Sequence, residues 1–300
     1  IRDSSTLNVP NGFGIYFPSS GTLTINNSKI TAKTMGVQVC SGELNINAGS
    51  VITVTGDAVT KTENDGAIQD GAAISIVNRT GYKGLSNIVI TGGTFTAKAG
   101  NDAIKAYDWV NKVESTFTKA DLVAVSGGTF TNAVPAEYCA DGFIPTENAD
   151  GTYGVAEGSG FAGACVVVTE SLAMKVVVST ASKYVVVTYK GLDGIAKTVR
   201  LDKFTDIKIE GKDYKYCLFD QIMPQMIDVK FSFELYGEND EMLDRKANYS
   251  VVDYLADIIA SDKDSAEFRN VAASLIEYAN RAKVVKGLTT TVAPTFVDKD

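Results

Sequence analysis

The most informative absence in this chain of 300 residues is histidine, which does not occur at all. A Ser-His-Asp triad, a Cys-His dyad and zinc sites built on two histidines all need an imidazole that is neutral near pH 7. The sequence therefore excludes these sites. Any catalysis would depend on carboxylates, Lys, Tyr or a hard metal ion held by oxygen ligands.

Cysteine is scarce, and its four positions are far apart in the sequence. No CxxC pair occurs, so neither a zinc knuckle nor a thioredoxin-type redox pair is indicated. We expect mostly buried thiols, with a disulfide as the alternative. The four are Cys40, Cys139, Cys165 and Cys217.

Long apolar runs and an excess of positive charge are also missing. The longest apolar run is FAGACVVV at 161–168, well short of the roughly 18 residues that a membrane helix needs. The net charge of −8 disfavours phosphate neutralisation on nucleic acid and docking on anionic lipid. We expect no nucleic-acid partner and no membrane insertion within this chain. The start at Ile1, without a methionine, favours a piece of a longer polypeptide, with any signal peptide or wall anchor outside it.

What the first half does contain is a recurring spacing of aliphatic and aromatic residues. Each copy has apolar residues at offsets 0, 2 and 7, with a polar or glycine-rich corner between the second and the third. This spacing is typical of two inward residues on one strand and one on the next. The copies are Leu23, Ile25 and Ile30; Leu44, Ile46 and Val51; Ile88, Ile90 and Phe95; Val123, Val125 and Phe130.

The intervals between the copies predict how the strands are arranged. Leu23 and Leu44 are 21 residues apart, and the 44 residues from Leu44 to Ile88 are twice 22, which places an unmarked coil at 66–78. The 35 residues from Ile88 to Val123 indicate one coil with an inserted loop that carries Trp109. Such a period predicts a right-handed parallel β-helix, or solenoid, of about six coils. A β-sandwich is the alternative.

The corners of the repeat have the composition that sharp bends require. Gly92-Gly93, Gly127-Gly128 and Asn26-Asn27 fall there, and Gly and Asn are the residues that adopt positive φ at low cost. We also expect ladders of Asn and Thr side chains between neighbouring coils.

The second half has a different pattern, with runs rich in Val, Ile and Tyr separated by turn signals such as Gly191-Leu-Asp-Gly194. This pattern predicts an antiparallel β domain. We therefore divide this mainly β chain into a β-helix at 1–157, a β-sheet or sandwich domain with a C-terminal helical hairpin at 158–288, and a tail or linker at 289–300.

Two α-helices are predicted near the C-terminus. Ser250 and Asp253 form a capping box at the start of the first, and the second should end at Lys286-Gly287. We expect each helix to pack one apolar face on the sheet. The first face comprises Val251, Tyr254, Leu255, Ile258 and Ile259, and the second Phe268, Val271, Leu275, Tyr278, Ala279 and Ala282.

The stretch at 87–106 reads NIVITGGTFTAKAGNDAIKA. It resembles the coil repeat of β-helical carbohydrate-binding domains of bacterial surface proteins, in which a strand, a Gly-Gly-Thr corner and a second strand precede an Asp-Asp-Gly-Ile-Lys type segment. The resemblance covers roughly residues 20–135. It implies an adhesin-like or carbohydrate-binding solenoid whose face contacts acidic or cellulosic polysaccharide.

In that family the acidic pair of the segment helps to bind calcium. The matching positions are Asn101 with Asp102, and Gly56 with Asp57, so the resemblance implies Asp102, Asn101 and Asp57 as metal ligands. Each match has one carboxylate instead of two, and Ala103 replaces a glycine. A hard divalent ion prefers several oxygen ligands and more than one negative charge. We therefore expect no cofactor, with calcium as the alternative, and assign turn capping to Asp57 and Asp102.

The C-terminal half is similar to a module that recurs in large secreted proteins of gut Firmicutes and has no assigned activity. The similarity covers roughly residues 160–288. It rests on YKYCLFDQIMPQMIDVKFSFELYGENDEML, YSVVDYLADIIAS and AASLIEYANRAKVV, and residues 139–153 likewise resemble the segment that closes the solenoid in that group.

These observations favour a non-enzymatic protein, secreted or at a bacterial cell surface, that binds a polysaccharide or another host or bacterial surface ligand. Recognition would use exposed side chains of the long face, namely Trp109, Tyr107, Lys105 and Asp102. One alternative is a polysaccharide lyase or glycoside hydrolase, which needs paired carboxylates. Candidates for such pairs are Asp57, Glu63, Asp65, Asp70, Asp102 and Asp108. The other alternative is a structural stalk or a protein-binding adhesin.

Overall fold

The computed structural model describes residues 1–2, 4–59, 66–79, 81–108, 122–168, 171–290 and 293–297. The chain forms two compact units, Ile1–Glu157 and Gly158–Asp300. Both units are built mainly from β-strands, and two α-helices follow in the second. Neither helix of the described residues is long and apolar enough to span a membrane.

Parallel strand pairing dominates the N-terminal unit, whose strands belong to three sheets. The first sheet contains β1 (Thr6–Val9), β4 (Lys29–Ala32), β7 (Val51–Val54), β10 (Thr94–Thr96) and β13 (Thr129–Phe130). The second contains β2 (Phe13–Phe17), β5 (Met35–Val39), β8 (Ile74–Asn78) and β11 (Ile104–Asp108). The third contains β3 (Thr22–Ile25), β6 (Gly42–Ile46), β9 (Leu85–Ile90) and β12 (Val123–Val125). Successive strands enter the three sheets in the same order each time.

An antiparallel hairpin completes the first sheet. It consists of β14 (Phe143–Glu147) and β15 (Tyr153–Glu157), follows a 3-10 turn at Ala136–Tyr138, and pairs through β15 with β13. Phe143 and Tyr153 pack against the apolar core of the unit. The hairpin thus covers the end of this core.

The inward residues of the repeat form columns across the third sheet. Leu23 pairs with Leu44, Leu44 with Ile88, and Ile88 with Val123. All four belong to one apolar core, in which Leu23 is partly buried and the other three are buried. The prediction that these residues stack over one another is confirmed.

The predicted intermediate coil at 66–78 is wrong. Leu44 and Ile88 are direct partners in neighbouring strands, so the 44 residues between them make one step. The strand in this interval, β8, lies in the second sheet between β5 and β11. The interval is long because the chain makes an excursion between β7 and β8, and an excursion outside the strands leaves their register unchanged.

One inward position of the repeat is also wrong by one residue. Val51 pairs with Lys29 and Thr94, on the outer side of the first sheet. The inward residue is Ile52, which is fully buried and pairs with Ile30 and Phe95. The corner before β7 contains one more residue than the corners before β4 and β10, and alternation then exchanges inside for outside.

The predicted positive φ is confirmed at one residue of each corner pair. Asn27, Gly93 and Gly128 have φ values of 40°, 121° and 119°. A ladder also runs along one corner, where Asn47 Nδ2 donates to Asn26 Oδ1 and Thr91 Oγ1 donates to Asn47 Oδ1. These bonds satisfy polar groups at bends where no strand partner is present.

The C-terminal unit contains two antiparallel four-stranded sheets, as the sequence predicts. One has β16 (Phe161–Val168), β17 (Leu172–Val178), β21 (Lys212–Ile222) and β20 (Thr205–Ile209). The other has β19 (Ala196–Leu201), β18 (Tyr184–Lys190), β22 (Phe231–Tyr236) and β23 (Met242–Tyr249). A 3-10 turn at Pro224–Met226 and the helices α1 (Val251–Ala260) and α2 (Ala266–Val285) complete the unit. Residues from both sheets and both helices share one apolar core.

The helix ends match the sequence prediction, but the buried side of α2 does not. Ser250 and Asp253 form the capping box of α1, and α2 ends at Val285 with Lys286 as its C-cap, followed by Gly287 at φ 69°. The predicted face of α2 is wrong because three of its large members are exposed: Phe268 at 45%, Val271 at 53% and Tyr278 at 60%. Ala279 of the predicted face is buried, together with four residues outside that face, Ala272, Ala273, Ile276 and Lys283. Small residues on this side let the helix pack closely on its neighbours.

Candidate functional site

The sequence-predicted binding residues of β11 lie on the outer face of the second sheet. Ile104 and Ala106 point into the core, so alternation places Lys105 and Tyr107 on the opposite face. Lys105 is half-buried. Tyr107 is only 9% exposed, and the expectation that it is an exposed contact residue is wrong. Trp109 lies outside the described residues.

Tyr107 is buried because the segment before β8 returns across this outer face. Tyr107 packs in a small apolar cluster with Cys40, Val77 and Ile68, and Ile68 belongs to that returning segment. An apolar face covered by its own chain is protected from water, so the cluster stabilises the excursion rather than offering a surface for a ligand.

Gln38 on β5 holds the segment in place. Its side chain is fully buried. Its Oε1 accepts a hydrogen bond of 2.7 Å from the Ile68 backbone N–H, and its Nε2 donates to Gly66 O and to Cys40 Sγ, both at 3.0 Å. A buried amide satisfied at both ends fixes one geometry, because leaving any of these groups unpaired would be costly.

Asp70 anchors the far end of the same segment. It is 4% exposed. Its Oδ2 accepts a hydrogen bond of 2.7 Å from Ser75 Oγ on β8, and its Oδ1 accepts one of 3.1 Å from the Ala72 backbone N–H. These contacts give the carboxylate a structural role.

Beside the covered part, the face presents a pair of tyrosines. The hydroxyl oxygens of Tyr16, on β2, and Tyr82 are 2.6 Å apart. Tyr82 is 37% exposed, and Tyr16 is half-buried. Burial raises the pKa of the Tyr16 phenol well above its usual range, the hydrogen bond to Tyr82 adds to this, and the positive charge of Arg79 opposes it. The raised pKa keeps the Tyr16 hydroxyl neutral at neutral pH.

Cys40 lies near this tyrosine pair but is chemically inert. Burial raises the pKa of its thiol, and the hydrogen bonds from Gln38 and Tyr16 and the charge of Arg79 only partly oppose the increase. The thiolate is the reactive form of cysteine. A neutral buried thiol therefore excludes Cys40 as a nucleophile at neutral pH.

One row of outer side chains connects the tyrosine pair to Lys105. Tyr16 pairs with Gln38, Gln38 with Ser75, and Ser75 with Lys105. Three strand spacings separate the ends of this row, which is about 14 Å. We call the face that carries Tyr16, Tyr82, Arg79 and Lys105 the tyrosine face. It has aromatic rings and two cationic side chains.

The three residues implied as calcium ligands are engaged with protein partners. Asp57 Oδ2 accepts from Lys98 Nζ at 2.5 Å, and Asp102 Oδ1 accepts from Asn132 Nδ2 at 2.7 Å. Asn101 Nδ2 donates to the Gly56 carbonyl at 3.4 Å. No cluster of three Cys, Asp or Glu side chains suited to a metal ion lies in the part of the chain that the structure describes.

The carboxylates considered for hydrolysis are not arranged as a pair by any described contact. Asp70 is buried, and Asp108 Oδ1 accepts from Asn78 Nδ2 at 3.3 Å. Asp57 and Asp102 have the partners given above. Glu63 and Asp65 lie outside the described residues.

No family model, no curated protein and no solved structure matches the chain. Any function assigned to the tyrosine face therefore depends on the geometry of its residues alone. Sequence reasoning missed Tyr16, Arg79 and Tyr82. The available signal was alternation in FGIYF at 13–17, which places Tyr16 on the opposite side from Ile15 and Phe17.

Proposed function

We propose that the N-terminal unit is a right-handed parallel β-helix closed by the β14–β15 hairpin. The support is the repeated order in which successive strands enter the three sheets, together with the parallel pairing within each. The right-handed sense follows from the strong preference of parallel crossover connections for that hand. Such a framework holds outer side chains at strand spacing, as a rigid binding surface requires.

We further propose that this unit binds an acidic polysaccharide without cleaving it, at a bacterial cell surface, and that the tyrosine face is the contact. The observation that carries the proposal is the Tyr16–Tyr82 pair beside Arg79, in the same face as Lys105. Tyrosine rings provide apolar contact to sugar faces together with a polar hydroxyl. Arg79 and Lys105 make this face positively charged, which attracts an acidic polymer.

The location outside the cell rests on the resemblance of residues 87–106 to surface-protein coils. Two features of the tyrosine face support binding rather than catalysis. Its one cysteine is a neutral buried thiol, and its buried carboxylate, Asp70, is engaged by Ser75 and the backbone.

The test is binding of the full chain to polygalacturonate, xylan and a neutral glucan, measured by titration calorimetry. We expect Tyr82→Ala to weaken binding to polygalacturonate about tenfold, since one aromatic contact is worth about 1 to 1.5 kcal/mol. Thr53→Ala is the matched control, because Thr53 lies on the outer side of the first sheet.

Two outcomes would overturn the proposal. One is polygalacturonate affinity that is equal in the wild type and in Tyr82→Ala, and the other is no binding to any of the three polymers. Release of shortened sugar products during the titration would favour the hydrolase or lyase alternative instead. Because Tyr82 is exposed, its replacement leaves the core intact, and an unchanged circular dichroism spectrum checks this.

A further inference from the structure

Helix α2 of the C-terminal unit carries an apolar stripe that its own unit does not bury. Four of its members are largely exposed and two are half-buried. The exposed ones are Phe268 (45%), Val271 (53%), Tyr278 (60%) and Val285 (82%), and the half-buried ones are Leu275 and Ala282. We call these six residues the α2 stripe.

The stripe has the spacing that a partner helix requires. Its members follow one another at intervals of 3, 4, 3, 4 and 3 residues, which is the a/d pattern of a heptad repeat. The side of α2 that packs on its own unit is a different one, formed by Ala272, Ile276, Ala279 and Lys283 among others. The helix thus has one apolar side in its own core and a second, with heptad spacing, facing outward.

The stripe is also continuous with a groove in the same unit. A cavity of about 880 Å³ is lined by Leu275 and Tyr278 of the stripe and, opposite them, by Leu192 and Met223. Leu192 and Met223 are 44% and 53% exposed. Large exposed apolar groups that adjoin one another indicate an interaction surface rather than ordinary scatter.

The described part of the C-terminal tail meets the stripe at its C-terminal end, where Thr290, Ala293 and Pro294 line a cavity with Val285. Asn270 holds the tail at Val297, donating from Nδ2 to the Val297 carbonyl and accepting at Oδ1 from the Val297 N–H, both at 2.9 Å. Asn270 lies about 100° around the helix from Val271. The tail therefore runs along the Asn270 side of α2 and past Val285, and Phe268, Val271 and Tyr278 stay exposed.

We propose that the α2 stripe pairs antiparallel with the same stripe of a second copy of this chain. A two-fold interface uses one patch twice, and here the register gives apolar partners to four of the six stripe residues, while Ala282 and Val285 lie beyond the paired segment. Phe268 packs against Tyr278 of the partner subunit, and Val271 packs against Leu275 of the partner subunit. The two-fold axis repeats both layers, which gives four apolar layers in all.

The charges beside the stripe select the antiparallel arrangement. The a positions of the stripe are Phe268, Leu275 and Ala282. In antiparallel pairing, the residues that precede the a positions face one another. Glu267 therefore meets Arg281 of the partner subunit, and the two-fold axis repeats this pair. Arg281 already pairs with Glu277 of its own helix at 2.5 Å, and the partner's Glu267 would extend this to a three-residue network. In parallel pairing, Arg281 would instead meet Lys286 of the partner subunit, a like charge.

Sedimentation equilibrium of the full chain tests the pairing. We expect a dimer whose dissociation constant rises at least tenfold in Val271→Asp, since that residue is exposed in the monomer and apolar in the interface. Lys212→Glu, a charge reversal at the start of β21, is the control and should leave the constant unchanged. Circular dichroism checks that each variant is folded.

A charge exchange gives the sharper result. Glu267→Arg and Arg281→Glu should each weaken the dimer severalfold, because each places like charges opposite one another. An equimolar mixture of the two variants should recover wild-type affinity as a heterodimer, since both facing pairs are then opposite in sign. Parallel pairing cannot give this rescue.

Three outcomes overturn the proposal. One is a chain that stays monomeric up to about 1 mM. A chain that binds only a different protein, and not a second copy, has the same meaning. Another is a dimer that Val271→Asp does not weaken, which would place the interface elsewhere. The third is a mixture of the two charge variants that dimerises no better than either variant alone.

Discussion

Phe95 and Phe130 stack in the core of the N-terminal unit, and their coupling is the sharpest stability prediction. Phe95 is 0% and Phe130 is 1% exposed. Their ring centroids are 4.8 Å apart with an interplanar angle of 22°. The two residues are direct partners in the parallel strands β10 and β13. The stack therefore links two neighbouring rungs of the first sheet.

Replacing either residue by leucine removes the aromatic stack and leaves a small cavity. We expect Phe95→Leu and Phe130→Leu each to lower the free energy of unfolding by about 1 to 2 kcal/mol. A stacked aromatic pair contributes about 0.5 to 1.5 kcal/mol beyond its buried area. The double variant should therefore lose less than the sum of the single losses, by about 1 kcal/mol. Phe13→Leu is the control and should cost less, because Phe13 is 36% exposed.

The assay is urea unfolding followed by the fluorescence of Trp109, the chain's one tryptophan, which belongs to the sequence of the N-terminal unit. A double-mutant cycle then gives the coupling energy. Losses below 0.5 kcal/mol for both single variants, or strictly additive losses, would refute the stacked arrangement of these two strands.

Four further outcomes are expected. At pH 8 an aromatic disulfide reagent should react quickly with one thiol per chain and slowly with the other three, because only Cys165 is partly exposed; Cys165→Ser should remove the fast phase. Asp228→Ala should cost about 2 kcal/mol in urea unfolding, because it removes the 2.6 Å charged hydrogen bond to the ammonium of Lys283, whose side chain is 4% exposed. Ser250→Ala should cost about 1 kcal/mol at pH 7 through the lost helix cap. Burial raises the pKa of the Asp253 carboxyl, but hydrogen bonds from Lys230 and Ser250 outweigh this effect. The pKa therefore lies below its usual value. The stabilisation from this ionised carboxylate is present above its unfolded pKa near 3.9 and is lost as pH falls through the lower folded value, which urea unfolding between pH 2 and 6 checks.

The stacking of inward residues was predictable because it depends on local alternation alone. Leu23, Leu44, Ile88 and Val123 share a position relative to their corners, and parallel strands in register align such positions. The thiol state of the cysteines was also predicted: all four are free, and three are buried.

The number of residues between successive strands of one sheet could not be predicted in the same way. A ladder of backbone hydrogen bonds fixes the strands but places no limit on the chain between them. The 44-residue step from Leu44 to Ile88 therefore resembled two coils in the sequence. One extra corner residue likewise turned Val51 outward, since hydrophobicity does not distinguish Val51 from Ile52.

The buried side of α2 was mispredicted, except at Ala279, because apolar periodicity does not distinguish two apolar sides of one helix. The helix has two apolar sides. The larger residues, such as Phe268 and Tyr278, are exposed, and the small Ala272 and Ala279 are buried. Close packing selects small residues, and a sequence alone does not state which apolar side meets its own domain.

The candidate site was predicted only in part. The sequence indicated β11, and Lys105 does lie on the tyrosine face, but Tyr107 is covered by Ile68 and its neighbours. Tyr16 and Tyr82 are 66 residues apart, and only the folded chain brings them together. A long-range contact of this kind leaves no local pattern.

The most direct test of the account is the register of β7, because the parallel pairing of the first sheet and the inward side of its strands both depend on it. Val51→Cys and Ile52→Cys are prepared in a Cys165→Ser background and labelled with a maleimide under native conditions. We predict rapid labelling of the thiol at position 51, on the outer side, and strong protection at position 52, where Ile52 is fully buried. Equal labelling at both positions, or protection at 51 with labelling at 52, would contradict the account.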